Sequence, residues 1–413
     1  MRLSADQQAW LEGRAGRAKQ LAMELMVAAA DATGAQEFAP IESAHINSSH
    51  YSGQLSLDFA EFLLAEGATL AVPTHTNASL IDCSQPHLRP ESSEPDAVRG
   101  SVRLMEIYEA LGCTSMWSCA PYLQPEGRPA FGTHIAGSES NAVSFFNSVL
   151  GARTNKYGDL LDIAAAITGS VPLTGLHTDE GRLATQVFRV EVSDRLCADA
   201  ALPHLLGIIL GQEAGTAIPV LDGLGPLTED ELKAIAAAGA TSGAVGMFHV
   251  VGVTPEAPTL SDAVGGRAPE RDVEIDDVWI ERTRARLSAV DNGPLDAVCL
   301  GTPHFSIDEF GDLLERLDGR RAHERLAFLV TTSRAVDHEL RLRGWRDRLL
   351  EAGVTIILDT CTYYTPVTDG VTGTVMTNSA KWAYYAPGIL GVDIAFGSLS
   401  ACIESAVAGE VVR

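Results

Sequence analysis

Several patterns that identify common classes of protein are missing from this 413-residue sequence. It has no G-x-G-x-x-G after a predicted strand and no G-x-x-x-x-G-K-[ST], so nucleotide binding has little support. H-x-x-x-H, H-E-x-x-H and G-x-S-x-G are absent, which argues against a mononuclear zinc hydrolase and against a serine hydrolase. There is no C-x-x-C pair either, so the usual local spacings of zinc and iron–sulfur sites are lacking.

The sequence is also poor in positive charge and in long apolar runs. With 54 acidic and 30 basic residues the formal net charge is −24, which disfavours binding to nucleic acid or to an anionic membrane. Apolar runs such as residues 205–210 are far shorter than a membrane span, and the charged N-terminus does not look like a secretory signal. The composition therefore predicts a globular cytoplasmic protein of two or three domains.

The residues around the seven cysteines are more informative than the number of cysteines. An odd count without a short-range framework argues against a disulfide scaffold. Cysteine is often a small core residue, and the apolar neighbours of Cys299 favour that interpretation. Cys119, Cys361 and Cys402, however, each lie in a dense polar motif, so they are candidate ligands of one metal cluster. Three thiolates on a four-iron cluster leave one iron open to a substrate oxygen, which predicts a Lewis-acid dehydratase.

Hydrophobic periodicity predicts an α/β protein. Residues 7–32 have helical spacing and should form one amphipathic helix that ends near Gly34, and residues 98–113 suggest another. Residues 244–251 look like a buried strand. From residue 296 onward the predicted strands 296–300, 326–332 and 355–358 alternate with predicted helices 306–317 and 335–352, which indicates a parallel or mixed sheet.

Polar motifs follow the three predicted strands of this last region, where ligands of such sheets usually bind. They are Gly301-Thr-Pro-His304, Thr332-Ser-Arg334 and Asp359-Thr-Cys361. A further dense polar stretch runs from Cys119 to Asn155. Within it Arg153 is a candidate for holding a substrate carboxylate, with an ion pair to Glu139 as the alternative. Lys381 is a candidate base or anion ligand, with a solvated surface lysine as the alternative.

Taken in order, short motifs along the whole chain resemble the large subunit of the aconitase X family, within the aconitase superfamily. The motifs include Ser43-Ala-His45, Pro73-Thr-His-Thr-Asn77, Cys119-Ala-Pro-Tyr122, Glu139-Ser-Asn-Ala142, Gly151-Ala-Arg-Thr-Asn155, Gly301-Thr-Pro-His304 and Asn378-Ser-Ala-Lys381. The resemblance implies an aconitase-like α/β fold with interleaved subdomains around a cluster-binding cleft and without the small swivelling domain. We expect residues 1–192 and 355–413 to form the cluster and substrate part, and residues 193–354 a scaffold.

The resemblance also implies a function. We expect an iron–sulfur dehydratase that acts on cis-3-hydroxy-L-proline to give 1-pyrroline-2-carboxylate, or on mevalonate 5-phosphate, together with a separate small-subunit partner. Cys119, Cys361 and Cys402 match the cluster ligands. Lys381, Ser379 and His45 are the candidate bases, in that order. The expected substrate-binding residues are Ser48, Asn77, Glu139, Ser140, Arg153, Thr154, Asn155, His177, His304 and Asn378.

Three questions stay open at the level of sequence. The cluster type, whether 2Fe–2S, 3Fe–4S or 4Fe–4S, is not fixed, and Thr302 stands where some relatives carry cysteine. The motifs contain few cations, namely Arg153, Lys156, Arg182 and Lys381, which favours an amino acid over a phosphorylated substrate. Two other classes of function are a subunit that holds a redox cluster or no cluster, and an enzyme that uses Cys119 as nucleophile.

Overall fold

The computed structural model describes residues 1–85, 88, 95–364 and 371–413, and backbone contacts divide the chain into two units. Unit 1 comprises Met1–Leu80, Pro95–Ala184 and Gly246–Arg267. Unit 2 comprises Ile81–Glu94, Thr185–Val245 and Ala268–Arg413. Each unit is thus built from three separate stretches, as the expectation of interleaved α/β subdomains requires. The expected division by role, 1–192 with 355–413 against 193–354, stays a prediction. No helix in the described ranges is long and apolar enough to cross a membrane.

The helices and strands are numbered here in chain order. The first part holds α1 (Ala5–Leu11), α2 (Arg17–Thr33), β1 (Phe38–Pro40), β2 (Ala44–Ile46), α3 (Gln54–Ala65), β3 (Thr74–Thr76), α4 (Pro95–Ala110), β4 (Ala136–Gly137), α5 (Ser140–Ser148), α6 (Leu161–Thr168) and β5 (Ser170–Pro172). The middle part holds β6 (Gln186–Glu191), α7 (Asp194–Cys197), α8 (Leu202–Ala214), β7 (Pro219–Asp222), α9 (Glu229–Ser242), β8 (His249–Val250), α10 (Leu260–Ala263), β9 (Arg271–Asp276) and α11 (Asp277–Leu287). The last part holds β10 (Ala297–Phe305), α12 (Ile307–Leu317), β11 (Ala327–Thr332), α13 (Arg334–Leu342), α14 (Trp345–Glu351), β12 (Val354–Leu358), β13 (Thr374–Thr377), α15 (Ala380–Leu390), β14 (Asp393–Phe396) and α16 (Leu399–Ala408).

The N-terminal segment forms two helices, so the prediction of one helix over residues 7–32 is wrong. The chain breaks between α1 and α2, where Gly13 and Gly16 have φ angles of 77° and 89°. Only glycine adopts such angles without strain, and the helical spacing of the apolar residues on either side hides the break. The predicted end is confirmed, because Gly34 caps α2 in the left-handed conformation. Met23 and Met26 of α2 are buried in the same core cluster as Ile163 and Ile167 of α6.

A small parallel sheet in unit 1 carries the polar motifs of the first part of the chain. Its strand order is β3-β2-β4, and His45 of β2 lies beside His75 of β3 in the register. The strands are formed by the polar motif residues themselves, whereas the apolar run 68–72 lies outside β3. Because all three strands are parallel, the residues that follow them meet at one edge of the sheet.

The larger sheet of unit 2 confirms the predicted parallel arrangement. Its order is β12-β11-β10-β13-β14, and every neighbouring pair is parallel. Ser306, the first residue of the predicted helix 306–317, is the residue before α12 and caps it through a capping box with Glu309. β10 continues through His304 to Phe305, with a shift of register after Leu300, so it is longer than predicted.

Two other predictions for secondary structure are corrected. The helix predicted over residues 335–352 is split into α13 and α14 at Gly344, whose φ angle is 67°. The strand predicted over residues 244–251 is reduced to the two residues of β8. In the residues just before β8, side chains bind the backbone: Asn147 Nδ2 donates to the Gly246 carbonyl at 3.0 Å, and the Phe248 amide donates to Ser148 Oγ at 2.9 Å.

Helices α8 and α9 of unit 2 pack unusually closely because small residues face each other. A Cβ atom added at Gly207 would lie 2.6 Å from the Ile235 carbonyl oxygen and 2.6 Å from the Ala238 Cβ. One added at Gly211 would lie 2.7 Å from the Gly239 carbonyl oxygen. Backbone atoms cannot move aside as a flexible side chain can, so the contact requires glycine at both positions.

We predict that Gly207→Ala destabilises the protein by about 1–3 kcal/mol, because overpacking outweighs the gain in helix propensity. The matched control is Gly388→Ala in α15, where nothing lies within 4 Å of the added Cβ. That variant should be neutral or slightly more stable. Denaturant unfolding measures both changes, and a Gly207→Ala variant as stable as the wild type would contradict the packing argument.

Candidate functional site

The edge of the unit 1 sheet collects three of the residues expected to bind substrate. Asn77 follows β3 directly, and Ser48 and Glu139 come two residues after β2 and β4. All three side chains are buried. Ligands of parallel sheets bind beyond the carboxyl ends of the strands, so this edge is a suitable position for a binding site.

Ser48 and Asn77 differ in whether all the hydrogen-bonding atoms of their side chains already have protein partners. Ser48 Oγ donates to the carboxylate of Asp162 and accepts from the Leu160 amide at 2.8 Å. Asp162 is fully buried, and this burial raises the pKa of its carboxyl group to about 6. Asn77 Nδ2 donates to Asn47 Oδ1 at 2.6 Å, whereas Asn77 Oδ1 has no partner among the described residues. Asn77 is therefore more open to a ligand than Ser48.

Glu139 and Ser140 lie at the start of α5. Glu139 is the residue before the helix, and its Oε2 accepts a hydrogen bond from the Ala142 amide at 2.6 Å. Ser140 is the first residue of the helix and is half-buried. A helix N-terminus leaves backbone amides that Glu139 partly satisfies, so this side chain has at least a structural role.

His45 is a buried neutral imidazole with one nitrogen unaccounted for. Its Nε2 lies 3.1 Å from the Ser118 carbonyl oxygen, so the proton is assigned to that nitrogen. Nδ1 is buried and has no hydrogen-bond partner within the described part of the chain. Burial lowers the pKa of His45 to about 4, although Glu139 acts in the opposite direction. A lone pair on Nδ1 is suited to accept a proton.

Cys119 is buried in a segment that α5 holds in place. Its carbonyl oxygen accepts a hydrogen bond from Asn141 Nδ2 at 2.8 Å, and Asn141 also bonds the Tyr122 hydroxyl. The Tyr122 ring stacks on Phe145 with 3.7 Å between centroids. The cysteine is 3% exposed, so the thiol is shielded from bulk solvent.

Arg153 pairs with Asp179, so the acidic partner differs from the Glu139 pairing considered as an alternative. Arg153 Nη2 forms the ion pair, and Nη1 donates to the His177 carbonyl at 3.2 Å. The Asp179 side chain is 89% exposed. Because exposed ion pairs contribute little, a substrate carboxylate can compete with Asp179 for this guanidinium.

Thr154, Asn155 and His177 form a connected polar group beside Arg153. Thr154 Oγ1 accepts from the Gly137 amide at 2.8 Å and donates to the Asn155 carbonyl at 2.7 Å. The Asn155 side chain bonds the Thr174 carbonyl and the Leu176 amide. These contacts use both ends of the Asn155 amide, which fixes the loop that carries His177.

His177 is held neutral between two polar side chains. Its Nε2 lies 2.7 Å from the Tyr157 hydroxyl, and its Nδ1 lies 2.9 Å from His134 Nδ1. Burial lowers the pKa of His177 to about 3, and the charges of Arg182 and Arg153 and the neighbouring His134 act in the same direction. With Tyr157 donating to Nε2, the proton of the neutral ring lies on Nδ1 and is donated to His134.

In unit 2, His304 and Cys361 form a buried pair of potential metal ligands. A ring nitrogen of His304 and Cys361 Sγ lie within 4.8 Å of each other, and both residues are buried. His304 Nε2 lies 3.0 Å from the Thr360 carbonyl oxygen, which places the proton on Nε2 and the lone pair on Nδ1. A backbone carbonyl that orients a histidine in this way is typical of metal sites.

The segment that carries His304 is fixed by a buried lysine. Lys233 Nζ lies 3.4 Å from the His304 carbonyl oxygen and forms ion pairs with Glu309 and, at 2.8 Å, with Asp230. Ser306 Oγ donates to the same Asp230 at 2.7 Å. These contacts satisfy a buried charge and hold the end of β10 at the same time.

Cys402, the third cysteine expected to bind the cluster, lies in an apolar environment. It belongs to the core cluster of unit 2 that includes Leu300, Phe305 and Ile403. Burial raises the pKa of its thiol far above the usual range, and burial likewise raises the pKa of Cys299 to about 12. The assignment of Cys402 as a ligand stays a prediction.

The C-terminal candidates lie at the start of α15. Ser379 caps this helix by accepting from the Trp382 amide at 3.1 Å, and its hydroxyl donates to the Thr302 carbonyl. Lys381 is 4% exposed. Its charge acts on Tyr364, whose pKa is raised well above the usual value mainly by burial and also by Tyr363 and Cys361. Lys381 is therefore a buried cation whose charge reaches Tyr364.

Asn378 and Asp82 complete the polar residues near these strand ends. Asn378 lines a cavity of about 330 Å³ with His204, and its Oδ1 has no partner in the described ranges. Asp82, which sequence reasoning did not single out, accepts from the Leu358 amide at 2.9 Å and from Gln85 Nε2 at 2.8 Å. Its place beside Cys83 in a polar tripeptide was the only available signal.

Comparison with known proteins gives the family. Models of the aconitase X first, second and third domains match residues 1–180, 184–285 and 295–408. The crystal structure of the holo-form of Thermococcus kodakaraensis aconitase X matches with a TM-score of 0.88 and 30% sequence identity, over 98% of this chain and 100% of that one.

Curated relatives are named as two kinds of dehydratase, which are hydro-lyases. The cis-3-hydroxy-L-proline dehydratase of Pseudomonas aeruginosa is 41% identical over 412 residues, covering 99% of this chain and 70% of that protein. The enzyme of the same name from Hypocrea jecorina is 39% identical over 98% of this chain and 69% of its own length. The phosphomevalonate dehydratase large subunit of Methanothermobacter thermautotrophicus is 36% identical over 93% of this chain and 94% of its own length. On this evidence the chain belongs to the aconitase X family.

Proposed function

We propose that this chain is the catalytic part of a hydro-lyase that removes water from cis-3-hydroxy-L-proline and gives 1-pyrroline-2-carboxylate. The observation that carries the proposal is the 41% and 39% identity to two enzymes of that name over nearly the whole chain. The second candidate substrate is mevalonate 5-phosphate, because this chain covers 94% of a phosphomevalonate dehydratase large subunit at 36% identity.

The choice between these substrates is tested by turnover. The chain, purified anaerobically with its small-subunit partner, should dehydrate cis-3-hydroxy-L-proline with a kcat/KM well above that for mevalonate 5-phosphate. The reverse preference would replace the first substrate by the second. Iron without turnover on either compound would support the other class of function, a subunit that holds a redox cluster. Activity that persists without iron, and is lost on alkylation of Cys119, would support nucleophilic catalysis.

The proposed cofactor is an iron–sulfur cluster with Cys119, Cys361 and Cys402 as thiolate ligands, and we add His304 as a candidate ligand. The donor types fit such a group, because thiolates and imidazoles both bind iron in clusters. The fit is supported by the buried Cys119, by the His304 and Cys361 pair and by the orientation of the imidazole. When bound, the cluster supplies an iron that acts as a Lewis acid toward the substrate hydroxyl.

The proposed substrate contacts come from both ends of the sequence. Arg153 is suited to a bidentate hold on the carboxylate, with Asp179 displaced. Asn77 offers an unused buried oxygen to the ring nitrogen of the substrate.

For His177 we propose a role through its neutral hydrogen-bonded group with Tyr157 and His134, because these two residues already occupy both ring nitrogens. The remaining proposed contacts are Ser48, Glu139, Ser140, Thr154, Asn155 and Asn378. His304, which was expected to bind substrate, is proposed as a cluster ligand instead, because the Thr360 carbonyl already occupies its other ring nitrogen.

The proposed base removes the proton on the carbon next to the carboxylate. Ser379 is committed as a helix cap and donates its proton to Thr302, which favours a supporting role for it. Lys381 is buried and its charge opposes the rise in the pKa of Tyr364 that burial causes, and His45 carries a lone pair without a partner in the described residues. We therefore propose Lys381 first and His45 as the alternative base.

We also propose a partner and a compartment. The relatives that this chain covers most completely are named large subunits, which supports a separate small subunit here. Thiolate ligands of a cluster survive best in a reducing compartment, which supports the cytoplasm. Co-expression with a candidate small subunit, followed by co-purification in a fixed ratio, tests the partner directly.

We predict that Cys119→Ser and Cys361→Ser each abolish the cluster absorbance and lower iron per chain to near background, because serine does not replace a thiolate toward iron. The matched control is Cys197→Ser, at an exposed cysteine outside both motifs. Cys402→Ser should lose iron as well, whereas Cys299→Ser, at an equally buried cysteine, should keep it. Normal iron in Cys119→Ser and Cys361→Ser would contradict the ligand assignment.

We predict that Lys381→Met lowers kcat by about 10²- to 10⁴-fold, the usual contribution of a positioned base, while iron content is unchanged. Lys156→Met is the control, because Lys156 is exposed. Exchange of the substrate α-hydrogen with deuterated solvent separates proton transfer from later steps and should slow in parallel. If Lys381→Met keeps kcat within about threefold while His45→Gln loses it, the base is His45.

We predict that His177 stays neutral throughout the range in which the enzyme is folded. Its folded pKa of about 3 lies below the unfolded value of 6.5, so the unfolded state takes up the proton first and stability falls as pH drops below about 6.5. The slope due to this residue is at most about 1.4 kcal/mol per pH unit. His177→Gln should flatten the loss measured by urea unfolding, and His338→Gln, at an exposed histidine, should not. Equal slopes in all three proteins would contradict the prediction.

A further inference from the structure

A cavity in unit 2 lies at the carboxyl end of β12 and beside α13. Its volume is about 540 Å³, which falls in the usual range for small-ligand sites. Its lining includes three arginines, Arg334, Arg341 and Arg346, together with Asp337 and His338. It shares no residue with the candidate cluster ligands or with the expected substrate contacts, so the proposed function does not account for it.

The balance of charge around this cavity is unusual for this chain. The protein as a whole carries a net charge of −24, and its other arginines mostly meet one or two acids, as Arg189 does with Asp222 and Asp272. At this cavity arginines outnumber their acidic partners, because Arg341 and Arg346 share the single carboxylate of Asp337. These three side chains therefore leave one positive charge without a counter-ion among the described residues.

Asp337 accepts one hydrogen bond from the Nε atom of each of the two arginines. Arg341 Nε donates to Asp337 Oδ2 at 2.9 Å, and Arg346 Nε donates to Asp337 Oδ1 at 2.8 Å. The carboxylate is buried, with its side chain 6% exposed, so it acts as a fixed support. A guanidinium has five N–H donors, and the Nη groups of both arginines form no hydrogen bond to any described residue. Arg346 is only 16% exposed, which makes its unused donors costly without an acceptor.

Arg334 completes the third side of the cavity. It forms a two-pronged ion pair with Asp359, with Nε to Oδ1 and Nη2 to Oδ2 both at 2.7 Å. The charges of Arg334 and Asp359 nearly cancel, and the ion pair fixes the Arg334 guanidinium beside the end of β12. Two oriented guanidinium groups with unused donors, next to a third that is held in place, suit a tetrahedral oxyanion better than a flat or neutral ligand.

We propose that this cavity binds a small phosphate-bearing anion, either inorganic phosphate or the phosphate group of a metabolite. The Nη donors of Arg341 and Arg346 bind the phosphate oxygens, and Asp337 keeps the two guanidinium groups apart and oriented. His338, exposed at the rim, is placed to add a further contact. The proposal does not depend on which hydroxy acid the enzyme dehydrates.

The test is calorimetric titration of the full-length protein, in its purified complex, with inorganic phosphate and with glycerol phosphate. Phosphate should bind, and Arg346→Gln and Arg341→Gln should each weaken binding by roughly tenfold or more, the usual effect of losing a charge-assisted contact. Tighter binding of glycerol phosphate than of inorganic phosphate would identify a metabolite as the source. Arg343→Gln is the matched control, because Arg343 lies on the same segment but pairs with Glu339 outside the cavity lining.

Unfolding temperatures of the variants show whether a loss of phosphate binding is due to a loss of folding. Arg341 is 55% exposed, so Arg341→Gln should fold normally even if the more buried Arg346 proves necessary for stability. Absence of phosphate binding by the folded wild type would overturn the proposal. So would wild-type binding in folded Arg341→Gln and Arg346→Gln, or an equal loss in Arg343→Gln. Because binding is measured without turnover, these outcomes are independent of whether cis-3-hydroxy-L-proline is the substrate.

Discussion

The hydrogen bond between the His304 ring and the Thr360 carbonyl is the contact that orients the potential metal ligands of unit 2. It joins the end of β10 to the residue before Cys361 and determines which ring nitrogen keeps a lone pair. Since β11 lies between β10 and β12 in the sheet, the segment after β12 must reach across β11 to bring Thr360 to His304. This contact therefore helps to hold the imidazole and the thiol as a pair.

Other polar contacts with buried groups hold the ends of β10 and β12 as well. Lys233 contacts the His304 carbonyl, Asp82 binds the Leu358 amide, and Arg334 pairs with Asp359. A buried polar group is costly unless it is satisfied, so each contact constrains its neighbours. Unit 1 follows the same principle at its own sheet edge, where Asp162 and Asn47 fix the residues around Ser48 and Asn77.

Much of this arrangement follows from sequence because it repeats a simple alternation of strand and helix. The parallel arrangement of β10, β11 and β12 and the start of α12 within one residue of Ser306 follow from the local pattern. The break at Gly13 and Gly16 does not, because the apolar spacing continues across it. The segment 244–251 is apolar enough for a strand, but only His249–Val250 form one, and Asn147 and Ser148, distant in sequence, bind the backbone at Gly246 and Phe248.

In the candidate site, likewise, local motifs predict which residues take part, whereas contacts between residues distant in sequence could not be predicted. Polar motifs pointed to Asn77, Cys119, Arg153 and Cys361 as site residues, and the structure places them at buried or half-buried positions beside strands and helix ends. Sequence could not show that His304 is oriented as a potential ligand, since this depends on a carbonyl 56 residues away. Nor could it show that Arg341 and Arg346 share Asp337, which depends on how α13 meets α14.

The most direct test of this account is the coordination of iron in the anaerobically purified protein. Pulsed electron paramagnetic resonance of the reduced protein, grown with ¹⁵N-labelled histidine, reports whether a histidine nitrogen is bound to the metal. The account predicts iron, sulfide and a histidine nitrogen coupling that disappears in His304→Gln, with thiolate ligation lost in Cys361→Ser. A protein without iron, or a cluster whose spectrum is unchanged in both variants, would contradict it.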